Sequence, residues 1–219
     1  MSPPAGKSFD RLAEPYEGLE RAAFGGLLET ARFEFLGELH GCRRVLLLGD
    51  GDGRLLARLV RLAPQAAIIS VDQSAAMLAK AQRRLRPEDL SRVKFYHADV
   101  LAADLGGERF DAIVTAFFLD CFSQPEAEQV VQQMDELMAP SAFWLEVDFG
   151  LPARGWRRWY AQGWLKLMYT FFRWRTGITA KALPDLQSTF HNLGWQLVKC
   201  QTYRAGFVYS RLYQKNRQG

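Results

Sequence analysis

The sequence predicts an α/β fold: a seven-stranded, mostly parallel sheet with helices on both faces and an antiparallel hairpin at the C-terminal end. Three observations carry this expectation. From Arg43 onward, apolar strand-like runs alternate with segments of helical periodicity, the pattern of a parallel sheet buried on both sides. A glycine-spaced loop joins the first strand of this series to its first helix. The chain then ends in two consecutive strand-like runs separated by Ala205 and Gly206, a hairpin turn.

Taken in order, the parallel strands are read over residues 45–48, 67–71, 93–96, 112–116 and 143–147, each short and apolar. Leu55, Leu56, Leu59, Val60 and Leu62 recur at helical spacing after the first strand, and Ala75, Leu78, Ala81 and Leu85 after the second. Ser74 is placed to cap the second helix. Ser123, Pro125 and Glu126 form a capping-box pattern that opens a helix through Met138, with Pro140 helping to stop it. A short helix is read over 184–193, ended by Gly194, and the hairpin strands over 195–203 and 207–213. The whole chain, 1–219, reads as one domain, with a helical cap over 1–40 and a lid-like insertion over 150–193.

The run VLLLGDGDGRLL sets Gly49, Gly51 and Gly53 at alternate positions between a strand and a helix. Such a loop lets the backbone approach a ligand and turns helix N-terminal N–H groups toward it. Arg54 stands where a dinucleotide fingerprint wants a small residue, and no GK[ST] follows, so pyrophosphate and triphosphate cradles are both disfavoured. Asp72 ends the second strand some 20 residues on, where an acid accepts hydrogen bonds from ribose hydroxyls. Asp99 lies just beyond the third strand, at the adenine end of a nucleoside. Singly, each acid is equally well a helix cap or a solvated loop side chain. Together they converge at the carboxyl ends of the strands, where ligands of such sheets sit.

VLLLGDGDG, VDQSAAMLAKA, HADV and FDAIVTAFFLD, in this order and spacing, resemble the successive motifs of class I S-adenosylmethionine (SAM)-dependent methyltransferases, Rossmann-like enzymes, and in particular the branch containing the ubiquinone and menaquinone methyltransferases. The resemblance covers residues 9–148. It implies that the glycine loop faces the methionine part of SAM, that Asp72 holds the ribose and that Asp99 meets the adenine amine. Gln73, Met77 and Val100 then flank the adenosine, Ala116 completes the cofactor-binding set, and Tyr16 closes over the cofactor. The family usually has an acid two residues before the first glycine; Leu47 stands there, and Asp50 and Asp52 are the carboxylates on offer for the SAM amino group. GDGDG also faintly resembles the aminopropyl-transferring polyamine synthases, whose additional acid-rich motif is absent.

Methyl transfer from a sulfonium is an in-line displacement in which the protein mainly aligns the acceptor, and a base helps when the acceptor is a phenol, alcohol or ammonium. Asp120, in FFLDCF beyond the fourth strand, is the candidate catalytic residue, against a plain helix-capping role. Glu146 and Asp148 share one face of the fifth strand, so either is placed to line the pocket. His40, His97 and His191 read as structural or surface residues. The three cysteines, without CxxC spacing, argue against a disulfide framework or a zinc site and read as free, mostly buried thiols.

A net charge of +4 is too small to imply nucleic acid by itself. Residues 150–184 are more telling, with seven basic residues, no acid, and an aromatic helical face of Trp156, Tyr160, Trp164, Leu167 and Phe171. This segment is equally a core-packing helix, a lid over an apolar acceptor, or an interfacial helix making peripheral membrane contact. RNA binding has no dedicated module to support it. With no secretion signal or membrane span in the sequence, the chain reads as cytoplasmic. The leading function is methyl transfer to a small hydrophobic or aromatic acceptor; the alternatives are a catalytically silent methyltransferase-fold binding protein and an aminopropyltransferase-like enzyme.

Overall fold

A computed structural model describes residues 26–150 and 182–216. Within them the chain runs through α1 (Leu27–Phe33), a 3-10 turn (Leu36–Leu39), β1 (Arg44–Leu48), α2 (Arg54–Leu62), β2 (Ala67–Asp72), α3 (Ala75–Arg84), the one-turn α4 (Pro87–Leu90), β3 (Val93–His97) and β4 (Phe110–Ala116). A second 3-10 turn (Leu119–Cys121) leads to α5 (Gln124–Asp135), β5 (Met138–Phe149), α6 (Gln187–Asn192), β6 (Trp195–Tyr203) and β7 (Val208–Lys215). The strands form one seven-stranded sheet ordered β3-β2-β1-β4-β5-β7-β6. The first five are mutually parallel, and β7 is antiparallel to both β5 and β6. The predicted α/β class, the strand count and the antiparallel hairpin are all present. The strand order reverses between β1 and β4, the switch point at whose carboxyl ends α/β sheets form their ligand crevice.

Strand alternation sorts the core into two layers. Val45, Leu47, Ala112, Val114, Leu145 and Val147 face one side, against α1, α2 and α3. Leu46, Leu48, Ile113 and Trp144 face the other, against α5 and α6. The helix starts follow the expected chemistry. Ser74 Oγ accepts the Met77 N–H at 3.2 Å, and Ser123 with Glu126 closes the capping box at the head of α5.

Three expectations are corrected. Helix α5 stops at Asp135 rather than Met138, because Phe110 N–H takes the Leu137 carbonyl and draws the chain into the sheet; Pro140 therefore lies inside β5, beside a register shift against β4. Helix α6 begins at Gln187, since Gln124 of α5 holds Asp185 extended by bonding both its N–H and its carbonyl. Cys42 is buried as expected, Cys121 only partly, and Cys200 is exposed on the edge strand β6. Among the described residues no helix is long and apolar enough to cross a membrane.

Candidate active site

The three loop glycines all have positive φ, at 65°, 67° and 85° for Gly49, Gly51 and Gly53. What a side chain would meet differs at each. A Cβ on Gly49 would fall 2.2 Å from Phe118 Cδ2, and one on Gly53 2.4 Å from the Ala81 backbone of α3. Among the described residues, a Cβ on Gly51 would meet only Met77 Sδ, at 4.0 Å. Gly51 is thus the loop glycine least crowded by the described residues, with the thioether of Met77 beside it. The Asp72 carboxylate, at the end of β2, accepts the Gly51 N–H at 3.2 Å and the Ser74 N–H at 2.9 Å, so it ties the loop to the start of α3. His97 Nε2 lies 3.0 Å from the Gln73 carbonyl, which fixes the β2 exit against β3. Further along the crevice, Asp99 is exposed and caps its own turn through the Leu101 N–H, with Val100 buried behind it.

Asp50 and Asp52, expected to face a ligand amino group, have both carboxylates engaged within the chain. Asp50 accepts the Leu55 and Leu56 N–H groups and so caps α2, which gets no side-chain cap from Gly53. Burial pushes its carboxyl up to about 7, against the pull of those N–H groups and of Arg32. Asp52 is held by Arg54 and by Arg84, whose Nη2 lies 2.6 Å away, which pins the loop to the end of α3. Leu47 is fully buried among apolar side chains, where a carboxylate would be desolvated.

At the ends of β4 and β5 the polar groups gather on the α5 side of the sheet. Asp120 sits in the 3-10 turn after β4, only 6% exposed. Its N–H donates to Asp148 Oδ2 at 3.1 Å, and the Phe149 N–H donates to Asp148 Oδ1 at 2.9 Å. Cys121 Sγ lies 3.6 Å from Asp120 Oδ1. Burial raises the Asp120 carboxyl to about 6 and Asp148 well above the carboxylate range, Asp148 also feeling the charges of Asp120 and Glu146. Burial and the neighbouring acids keep the Cys121 thiol protonated. Glu146, likewise raised by burial, accepts the Tyr209 and Tyr213 hydroxyls and faces Arg211 at 3.6 Å. Ser123 and Glu126 cap α5, so Asp120 is not its helix cap.

Residues 45–141, which span this crevice, match the family model described as a methyltransferase domain. This stretch of the chain is thus similar to a methyltransferase domain. An uncharacterized methyltransferase of Mycobacterium tuberculosis is 30% identical over 125 residues, 57% of this chain and 60% of that protein. The ubiquinone/menaquinone biosynthesis C-methyltransferase of Syntrophotalea carbinolica is 27% identical over 146 residues, 66% of this chain and 60% of the enzyme. The chain thus spans about 60% of the length of these curated relatives. Among solved structures, the N-methyltransferase NodS from Bradyrhizobium japonicum, in complex with S-adenosyl-L-homocysteine, superposes with a TM-score of 0.66 at 17% identity, covering 96% of this chain and 98% of NodS. The fold is that of the class I methyltransferases, as the motifs implied.

Within the matched stretch, the sequence-predicted Gly49, Gly51, Gly53, Asp72, Gln73 and Met77 lie together at the β1 and β2 exits, Asp99 and Val100 follow β3, Ala116 ends β4 and Asp120 lies in the turn after it. Tyr16 lies outside the described residues. Two features escaped the sequence reading. The capping role of Asp50 was hidden because its partners are backbone groups five and six residues ahead. The pairing of Asp120 with Asp148 joins positions 28 apart. The alternation that put Glu146 and Asp148 on one face of β5 was the available signal.

Proposed function

We propose that the protein is a SAM-dependent methyltransferase acting on a small, hydrophobic or aromatic acceptor. The observation that carries the reading is the Asp72 carboxylate at the β2 exit, tied to the Gly51 N–H where the described residues crowd the loop least. The residues present suit the cofactor. The Asp72 carboxylate, held by its backbone bonds, is an acceptor of the kind that ribose hydroxyls require, Met77 and Val100 offer apolar surface to an adenine, and the Asp99 carboxylate lies at the crevice edge. SAM supplies an electrophilic methyl group. The chain orients it, excludes water and, through Asp120, presents a carboxyl beside the acceptor's place. Support for an apolar acceptor comes from the quinone-pathway relative and from the aromatic residues of 150–184, a segment that the reading makes a lid with peripheral membrane contact. Residues 151–181 lie outside the described residues.

Titration calorimetry tests the cofactor assignment. SAM and S-adenosylhomocysteine should bind the wild type, and Asp72→Ala should weaken both by roughly 1–3 kcal/mol, the range for losing charge-assisted hydrogen bonds. Unchanged affinity in that variant would remove Asp72 from the ribose, and preference for NAD over SAM would overturn the class.

A further inference from the structure

The turn after β4 links the two halves of the crevice. It begins at Phe118, whose ring lies against Gly49 of the cofactor loop, and passes through Cys121, whose thiol is influenced by Asp72. Between these points it brings Asp120 onto Asp148, the penultimate residue of β5. The Asp120 N–H bonds the Asp148 carboxyl, and the two carboxyls are buried and desolvated with the charge of Asp120 opposing that of Asp148, so they do not both ionise near neutrality. The titratable and charged groups that face them from the described elements are Cys121 on the same turn, Asp72 beyond it, Glu146 on β5, and Tyr209 on β7 with Arg211 behind it. Arg211 is committed to Glu146 and lies over the Tyr209 ring at 3.8 Å. Asp148 is the anchored member, fixed by two backbone N–H groups, and Asp120 is the member on the turn that reaches the cofactor loop.

We infer that Asp120 and Asp148 act as one base toward an acceptor whose nucleophilic atom carries a proton, a phenolic or enolic hydroxyl or an ammonium, with Asp120 receiving the proton and Asp148 positioning it. The inference rests on the proposed methyl transfer and names the acceptor class for the same site. A hydroxyl oxygen's lone pair, or the nitrogen lone pair freed when an ammonium first gives its proton to the carboxylate, forms the new bond to the methyl carbon while the carbon–sulfur bond breaks. Its electron pair stays on sulfur, leaving a neutral thioether, and the acceptor's proton passes to the carboxylate of the pair. One positive charge on sulfur and one negative charge on the pair are consumed together. Before transfer, the pair's single negative charge would favour a bound sulfonium, and so the charged cofactor over its neutral product.

That last consequence can be measured without knowing the acceptor. A sulfonium beside the pair favours its ionised form, so SAM should expel protons near pH 6, where Asp120 is half ionised, and neutral S-adenosylhomocysteine should expel fewer. Calorimetry of the wild type in buffers of differing ionisation enthalpy reads this directly. A tenfold shift of the acid's equilibrium would release about 0.4 proton at pH 6 and little at pH 8. The SAM-minus-homocysteine difference should vanish in Asp120→Asn and shrink in Asp148→Asn. Equal proton release by the two ligands in the wild type at pH 6 overturns the proposal, whether or not the variants fold. A full difference in a folded Asp148→Asn variant removes Asp148 from the pair. Failure of both ligands to bind the wild type is the separate outcome that rejects the cofactor reading.

Discussion

A glycine loop is only as informative as the reasons for each glycine, and here the three separate cleanly. Gly53 lies against the α3 backbone, so its small size is a packing requirement between loop and helix. Gly51 is crowded by none of the described residues, so among them its positive φ and the ligand side are what demand glycine. Gly53→Ala is therefore expected to destabilise the fold by about 2–4 kcal/mol, combining left-handed backbone strain with overpacking. Gly51→Ala should cost about 1–2 kcal/mol, the backbone strain alone, yet lose most SAM affinity. Urea melts and SAM titrations of the two variants check this; equal destabilisation would mean that the loop packs as a unit and that the uncrowded side of Gly51 has no special role. The spacing of the glycines was legible in the sequence. Their division of labour was not, because it depends on where α3 and Phe118 return to the loop.

At the level of elements, the signals that read correctly are local. Apolar alternation gave the strands, and the caps at Ser74 and Ser123 mark helix starts that the structure reproduces. The readings that failed are those where a distant group overrides the local signal. Gln124 shortens α6 from across a 61-residue separation, and the β4 edge captures Leu137 and ends α5 early. The edge strand β6 shows the same limit. Its sequence reads as a strand, yet Leu197 and Val198 are 49% and 46% exposed at a bulge that alternation does not anticipate. For residues 150–184 the sequence alone supports a prediction. Seven basic side chains without an acid should bring the protein to anionic vesicles, each adding on the order of 1 kcal/mol that salt screens. Sedimentation with anionic but not zwitterionic vesicles, weakened by salt and by replacing Arg157 and Arg158 with Glu, is the expected result. Indifference to both vesicle types would leave the lid and remove the membrane contact.

At the scale of the whole molecule, the charges of consequence among the described residues are the half-buried Asp50 and the buried Asp120, Glu146 and Asp148, all raised chiefly by desolvation. They place a pH dependence on stability whose sign follows from linkage. In the unfolded chain these acids ionise in the ordinary range near pH 4, whereas in the folded chain Asp120 holds its proton to about 6 and Asp50 to about 7. Between those limits the folded state binds more protons than the unfolded one, so stability falls as pH rises, the reverse of the usual salt-bridged carboxylate. The expected loss between pH 5 and 7.5 is on the order of 2 kcal/mol, kept below the simple sum by relaxation around buried charges. Denaturant midpoints across that range measure it, and a midpoint that rises with pH would show that the buried acids are ionised throughout. Asp50→Asn isolates the α2 contribution. Its side-chain oxygen still accepts one helix N–H but carries no charge, so the variant should show a flatter stability profile between pH 5 and 7.5 while the part of the slope due to the pair at the β4 and β5 exits remains.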